Sequence, residues 1–336
     1  MLSRRPWLGW GIACAALSIV LVIAFAAGKY PVSPLDLLRS LAAQSGLGTG
    51  PGETVQTVVW NIRLPRIAAG LLVGAMLGAA GAAYQGMFRN PLVSPDILGV
   101  SAGAGLGAAA AIFLGLPLAL VQLLAFAGGL VAVGAVYVIA GMVRRHDPVL
   151  VLVLTGVAVG ALLGAGISLL KILVDPYTQL PSITFWLLGS LNAVVMDDVL
   201  ATLPVILVSL LPLVLLRWRV NLLGLSDEEA AALGVNVGRL RGVLIAAATL
   251  GTAAAVSLAG IVGWVGLVVP HIARLLVGPE FSRLLPASLI LGGGFLVGAD
   301  TLARTAAGIE LPLGILTALV GAPFFLVLLA HGGKRG

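Results

Sequence analysis

The chain has 336 residues, of which 60% are hydrophobic and only 10% are charged, and its formal net charge at pH 7 is +6. A soluble domain carries roughly 25% charged residues, so this composition excludes an ordinary water-soluble globule and indicates a polytopic membrane protein. Its 45 glycines fit closely packed transmembrane helices, whereas its single cysteine excludes a disulfide framework or a cysteine-rich metal cluster.

The first predicted element is an apolar run at 7–27 that follows Arg4 and Arg5. Ala24-Phe25-Ala26 resembles the cleavage site of a secretory signal, but about 21 apolar residues are enough to cross a bilayer, so we expect an uncleaved first span. Residues 183–195 are apolar but short, which favours a re-entrant or interfacial helix. Nine further apolar runs bring the predicted spans to ten, namely 64–86, 96–115, 117–142, 149–171, 199–216, 242–258, 260–276, 285–304 and 312–331.

The positions of the lysines and arginines predict how these spans are oriented. With the N-terminus inside, 13 of the 19 basic residues fall in cytoplasmic segments and 6 fall outside. The positive-inside rule therefore predicts that both termini are cytoplasmic. The basic residues occur singly or in pairs between apolar runs and form no dense patch, so nucleic acid is not an expected partner.

Two groups of charged residues lie near the non-cytoplasmic ends of predicted spans. Arg63 and Arg66 are three positions apart on one face of the first turn of the second span, where the positive helix N-terminus disfavours arginine. Anchoring to lipid phosphate and docking of an acidic partner both remain open. Asp300 and Arg304 are four positions apart in the ninth span, so they can pair on one helix face.

A tight cytoplasmic turn is predicted between the second and third spans. Asn90-Pro91 ends one helix, Ser94-Pro95 begins the next, and Asp96 then lies near a helix N-terminus, where an acid is favourable.

Enzyme motifs give little support for a catalytic function. Residues 99–103 match the G-x-S-x-G pattern of a nucleophile elbow, but they lie in a glycine-rich apolar run, so a chance match is favoured over a hydrolase centred on Ser101. The sequence contains neither H-E-x-x-H nor a phosphate-binding loop. We therefore expect a chain that is not an enzyme, binds no cofactor or metal, and does not bind ATP by a P-loop.

Segment 225–241 is a polar interruption that predicts a short helix. Ser226 is followed three residues later by Glu229, which is the spacing of a capping box, and Gly234 is suited to a left-handed C-terminal cap. A helix of only about two turns is marginal in water, so we expect it to be stabilised by packing against another structure.

Several segments recur in a fixed order that is typical of one family. They are RLPR at 63–66, QGMFRNPLVSPDILGVSAGAG at 85–105, FWLLGSL at 185–191, LSDEEAAALGV at 225–235, GIVGWVGLVVPHIARLL at 260–276 and ELPLGILTALVGAPFFLVLL at 310–329. From about residue 58 to the C-terminus, the chain resembles the permease subunits of type II ABC importers, which take up ferric siderophores, haem and cobalamin.

The resemblance implies an all-α permease of about ten transmembrane helices that forms a single domain over residues 1–336 of a bacterial inner-membrane protein. It implies that two copies pair, that two separate ATPase subunits bind the ATP and Mg²⁺, and that a periplasmic substrate-binding protein docks from outside. Membrane lipid surrounds the assembly.

The resemblance also implies roles for particular residues. It implies that Arg63, Arg66 and Arg304 dock the binding protein, and that Asn90 and Leu92 form a cytoplasmic gate. It implies that the loop at about 220–241 couples to the ATPases through Ser226, Asp227, Glu228, Glu229, Ala230, Leu233 and Gly234.

We therefore expect an importer permease for an iron chelate, either a ferric siderophore or haem. Cobalamin is the alternative within the same family. A secondary transporter driven by an ion gradient is less favoured, because a proton relay would need further acids in the predicted spans besides Asp300.

Overall fold

A computed structural model describes residues 6–46, 49–143 and 148–332. Within these ranges the chain forms fifteen α-helices and no β-strand. Some of the basic residues that predict the orientation lie outside the described residues, namely Arg4, Arg5, Arg144, Arg145, Lys334 and Arg335.

The helices follow one another with short connections. They are α1 Pro6–Ala26, α2 Pro34–Gln44, α3 Glu53–Thr57, α4 Leu64–Met87, α5 Val100–Phe113, α6 Leu118–Met142, α7 Pro148–Leu173, α8 Gln179–Leu188, α9 Met196–Leu215, α10 Arg217–Leu222, α11 Asp227–Ala232, α12 Val237–Ala259, α13 Val265–Val277, α14 Phe281–Thr305 and α15 Leu313–Gly332. A π-helical segment, Val58–Arg63, joins α3 to α4, and a 3-10 turn, Pro95–Leu98, precedes α5.

In the part of the chain that the structure describes, seven helical stretches are long and apolar enough to cross a membrane: Trp7–Ala26, Glu53–Met87, Leu118–Met142, Val149–Leu173, Met196–Leu215, Val237–Ala259 and Phe281–Thr305. Three shorter apolar helices, Val100–Phe113, Val265–Val277 and Leu313–Val327, lie where the third, eighth and tenth spans were predicted. The all-α membrane fold is thus confirmed, whereas the number of ten spans and the orientation stay predictions.

The second predicted span begins earlier than the sequence indicated. Helical backbone runs without a break from Glu53 to Met87, and the π-helical segment ends at Arg63. Arg63 and Arg66 therefore lie inside a helix and not in its first turn. The expected conflict with a positive helix N-terminus does not arise, because that end of the helix is at Glu53.

Helix α4 is the centre of the bundle and packs against α12, α13 and most extensively against α14. A methyl group at Gly74 would collide with the backbone carbonyl of Gly292, so the two helices touch backbone to backbone. Gly103 of α5 and Gly128 of α6 make a second contact of this kind. Such close approach is what small residues contribute where lipid provides no hydrophobic driving force between helices.

The short apolar segment predicted at 183–195 overlaps the second half of helix α8, which begins at Gln179 and ends at Leu188. Gly189 then turns the chain with φ +73°, and Ser190 N donates a 2.8 Å hydrogen bond to the carbonyl of Ala259. The prediction of a short helix is confirmed, and its depth in the membrane stays a prediction.

Candidate functional site

The predicted site residues lie in two clusters at opposite ends of α4, whose 24 residues span about 36 Å. The arginine cluster consists of Arg63, Arg66, Asp300, Arg304 and Glu310. The α11 cluster consists of Arg89, Asp227 and Arg241.

Arg66 is the centre of the arginine cluster and binds two carboxylates. Its Nε lies 2.7 and 2.9 Å from the two carboxylate oxygens of Asp300 on α14. Its NH1 and NH2 groups lie 3.0 and 3.2 Å from Oε1 and Oε2 of Glu310, which precedes α15. Arg66 therefore joins the central helix α4 to two other parts of the bundle.

Arg304 and Arg63 lie beside this centre and cap another helix. Arg304 Nε is 3.2 Å from Asp300 Oδ2, so the predicted pairing of Asp300 with Arg304 is confirmed. Arg304 NH2 donates to the carbonyl of Ala24, and Arg63 NH1 donates to the carbonyl of Phe25. These carbonyls belong to the last turn of α1, which has no helical partners for them and carries the negative end of the helix dipole. Two arginines thus cap the C-terminus of α1.

The three arginines predicted to dock a partner are all buried in this structure. Arg63, Arg66 and Arg304 are 3%, 6% and 8% exposed, and their guanidinium groups face internal carboxylates and carbonyls. The docking role of these arginines stays a prediction, and the sequence alone assigned Glu310 no role beside them. The sequence does contain a feature that indicates Glu310: it is an acid directly before the last predicted span, on the same side of the membrane as Arg66.

Glu310 also lines a cavity of about 270 Å³. Other residues around this cavity include Phe185, Trp186, Ser190 and Asn192, so α8 and the turn after it form part of its wall. Leu313 N donates a 2.9 Å hydrogen bond to the carbonyl of Gly189, which fixes the start of α15 against the same turn. The cavity and the arginine cluster therefore share one carboxylate.

At the opposite end of α4, the chain makes the predicted tight turn. Asn90 Oδ1 accepts a 2.9 Å hydrogen bond from Leu92 N, and Val93 N donates to the carbonyl of Asn90 at 3.3 Å. The side chain of Leu92 is exposed. The predicted turn is confirmed, and the gating role of Asn90 and Leu92 stays a prediction.

Helix α11 has both of the caps that its sequence predicts. Glu229 N donates to Ser226 Oγ at 3.2 Å, and Ser226 N donates to Glu229 Oε2 at 2.9 Å, which is a capping box. At the other end, Gly234 has φ +81°, and the amides of Gly234 and Val235 bind the carbonyls of Ala231 and Ala230. This is a Schellman motif, which satisfies carbonyls that the helix leaves free.

Helix α11 is anchored on one side and exposed on the other. The side chain of Ala230 is fully buried, whereas Glu228, Glu229 and Leu233 are exposed. Asp227 forms ion pairs with Arg89 and Arg241, each at 2.8 Å. The hydrogen bonds from Arg241 hold the pKa of the Asp227 carboxyl below its usual range. Partial burial raises this pKa, but the charges of Arg241 and Arg89 lower it further. The result is a fixed helix with an acidic and apolar outer face.

Two further predictions concern chemistry. Ser101 lies on helix α5, where its hydroxyl donates to the carboxylate of Asp96, and no strand precedes it among the described residues. The described residues also contain no group of three or more histidine, cysteine or acidic side chains that could hold a metal ion.

Comparison with known proteins shows which family the sequence matches. Residues 16–331 match the FecCD transport family. The chain belongs to the FecCD transport family. A cobalamin import system permease of Halobacterium salinarum is 48% identical over 291 residues, covering 86% of this chain and 78% of the relative. A permease of an iron chelatin transport system in Helicobacter pylori is 42% identical over 277 residues, covering 82% and 83%.

A solved structure of an ABC transporter has the same fold as this chain. A structure described as an inward-facing conformation of a metal-chelate type ABC transporter superposes with a TM-score of 0.87. It is 35% identical and covers 97% of this chain and 100% of its own. This FecCD protein is therefore an ABC importer permease, and its apolar helices make it a multi-pass protein of the inner membrane.

Proposed function

We propose that this chain is the membrane-spanning subunit of an importer that moves an iron chelate from the periplasm to the cytoplasm. In this proposal two copies enclose the pathway, two separate ATPase subunits bind and hydrolyse ATP, and a periplasmic binding protein delivers the cargo. The chain itself does no covalent chemistry and binds no cofactor. Its function is to change conformation when its partners favour one state over another.

Helix α11 is the observation that carries this proposal. A six-residue helix is too short to be stable in isolation, yet this one has complete caps at both ends and two ion pairs at its first residue. Its exposed face carries Glu228, Leu233 and Glu229, and the carboxylate of Glu229 completes the N-terminal cap. A helix that is capped at both ends and exposes an acid and a leucine is suited to insertion into a partner subunit, which is the role expected of a coupling helix.

The arginine cluster, at the other end of α4, supports the proposed docking of a binding protein. It holds three arginines and two carboxylates, so one positive charge is not balanced by an acid. That positive field is suited to attracting an acidic binding protein. Direct docking through Arg63, Arg66 and Arg304 would require their guanidinium groups to exchange internal partners for those of the binding protein.

Reconstitution tests this function. The chain is purified with the ATPase subunits expressed beside it, placed in liposomes, and supplied with its binding protein and a radiolabelled ferric siderophore or haem. We expect uptake that requires ATP inside the liposomes, on the side of the ATPase subunits, and that stops when the ATPase is inactivated. Uptake driven by a proton or sodium gradient without any ATPase would overturn the proposal.

Cobalamin is the second candidate cargo, because the relative with 48% identity is a cobalamin import permease. Competition in the same liposomes separates the two cargoes. If the cargo is an iron chelate, unlabelled cobalamin should leave the uptake of the labelled chelate unchanged. A shift of all ATP-dependent uptake to cobalamin would replace iron chelate as the cargo while leaving the importer function intact.

The structure offers little to the two rival functions. The acid within the ninth span, Asp300, is paired with Arg66 and Arg304 and is not available to carry protons in this state. Ser101 has an aspartate as its partner and lies in a helix, which is not the strand-to-helix turn that a nucleophile elbow needs.

A further inference from the structure

Arg89 is a strained residue at the junction between α4 and the Asn90–Leu92 turn. Its φ is +50°, a left-handed conformation that non-glycine residues rarely adopt. A residue stays in such a conformation only when its surroundings hold it there. The side chain of Arg89 holds its backbone in this conformation, because it binds two other segments of the chain.

The contacts of Arg89 lead to the start of α11. Its Nε donates a 2.7 Å hydrogen bond to the carbonyl of Leu223, just after α10, and its NH2 donates a 2.8 Å hydrogen bond to Asp227 Oδ1. These contacts join positions more than 130 residues apart in the sequence. The turn at the end of α4 is therefore held by the segment that carries α11.

Asp227 is the shared acid of this arrangement. It receives one hydrogen bond from Arg89 and two from Arg241 on α12, at 2.8 and 2.9 Å. One carboxylate thus holds two arginines from distant segments, Arg89 in the turn after α4 and Arg241 on α12. Any displacement of α11 must either carry Arg89 with it or break this ion pair.

We propose that the Arg89–Asp227 pair is the positioning contact through which movement of α11 reaches the Asn90–Leu92 turn. Asp227 lies at the start of α11, and Arg241 binds it to α12. When α11 moves, Arg89 moves with Asp227, and the strained turn changes its position. The inference rests on the proposed function, since it deepens the role of α11 as a coupling helix. It assigns to Asp227 a role within this chain, through its ion pairs with Arg89 and Arg241.

Hydrogen–deuterium exchange on the purified full chain in lipid nanodiscs tests this contact without any partner protein. The variant Asp227→Asn removes the shared charge, and Glu228→Gln is its matched control, since it makes the same change one residue later at an exposed side chain. We expect Asp227→Asn to raise exchange by about fivefold or more in both 89–93 and 226–233. Glu228→Gln should leave both segments within about twofold of the original chain.

Two results would overturn the proposal. One is faster exchange of 226–233 in Asp227→Asn with 89–93 unchanged, since the turn would then be independent of α11. The other is an equal response in Glu228→Gln. If Asp227→Asn loosens the whole bundle, Arg89→Gln replaces it, because this change leaves Asp227 bound to Arg241. Faster exchange confined to 89–93 and 226–233 then supports the contact, and unchanged exchange in 226–233 refutes it.

A second measurement separates this proposal from the proposed function. In the transporter reconstituted with its ATPase subunits, Arg89→Gln should keep ATP hydrolysis within about twofold and lower cargo uptake by about tenfold or more. Normal uptake in this variant would show that movement reaches the turn by another route. Failure of the ATPase subunits to bind the unmodified chain would count against the proposed function alone, since the exchange result does not depend on them.

Discussion

Arg66 and Asp300 form an ion pair in which both side chains are almost fully buried, 7% and 2% exposed, with Nε and Oδ1 2.7 Å apart. The pair joins α4 to α14, the same two helices whose backbones touch at Gly74 and Gly292. Removing Asp300 would leave Arg66 paired with Glu310 alone and Arg304 without a carboxylate, and breaking a buried pair in this way is destabilising.

Asp300→Asn should therefore destabilise the protein strongly. The change leaves Arg66 and Arg304 facing a neutral group, and loss of one partner of a buried pair costs about 3–5 kcal/mol. Denaturant unfolding in detergent measures the effect. The control is Glu280→Gln, which removes the exposed pair with Arg283 and should cost no more than about 1 kcal/mol. Equal losses in both variants would mean that Asp300 is not essential to packing.

Local features of this protein were predictable from the sequence, and pairings between distant segments were not. The capping box of Ser226 with Glu229 and the left-handed Gly234 depend on spacings of a few residues, so a local pattern specifies them. The pair of Arg66 with Asp300 joins positions 234 apart. Apolar runs reveal that two helices exist but not that they are neighbours. Periodicity alone could not show that the arginines of 63–66 face inward.

Glu310 should weaken docking of an acidic partner at Arg66. In the free chain its carboxylate occupies the NH1 and NH2 groups of Arg66, so any carboxylate from outside must compete with it. If docking uses Arg66, we expect Glu310→Gln to tighten the affinity for the binding protein by about 5- to 10-fold, because the internal competitor loses its charge. Surface plasmon resonance on nanodisc-bound chain measures this.

The salt dependence of the same binding provides the check. Exposed charge pairs are screened by salt, so the gain in Glu310→Gln should shrink between low and high ionic strength. Arg39→Gln is a suitable control, because Arg39 is exposed and pairs only locally with Asp36. Weaker binding in Glu310→Gln would show that Glu310 supports the docking surface instead of competing for it.

The contact between Gly74 and Gly292 should not tolerate a side chain. In Gly74→Ala the added methyl meets the carbonyl of Gly292, and α4 has to move away from α14. Overpacking of this kind costs about 1–3 kcal/mol. Gly134 on α6 is the matched control, since nothing lies within 4 Å of the position of its Cβ. Gly134→Ala should be neutral or stabilising by up to about 1 kcal/mol, because alanine favours helix.

Helix α11 should keep its anchoring down to unusually low pH. Hydrogen bonds from Arg241 lower the pKa of Asp227, and the backbone hydrogen bond from Ser226 lowers the pKa of Glu229. Groups whose pKa is lower in the folded state contribute stability that is complete above the unfolded pKa, about 4, and that is lost as the pH falls through the folded pKa. The anchoring should therefore be constant from pH 8 to about 5 and fail only below about 4.

A spin label measures this loss directly. It is attached at the exposed position 233, as Leu233→Cys in a Cys14→Ser chain, and its mobility is recorded by electron paramagnetic resonance. We expect a constant spectrum from pH 8 to about 5 and higher mobility below about 4, since protonation of Asp227 and Glu229 then breaks the contacts that hold the helix. A label at Leu162→Cys on α7 should not respond, because no carboxylate fixes that exposed site. A transition near pH 6 at position 233 would show that a histidine, and not these two acids, controls the anchoring.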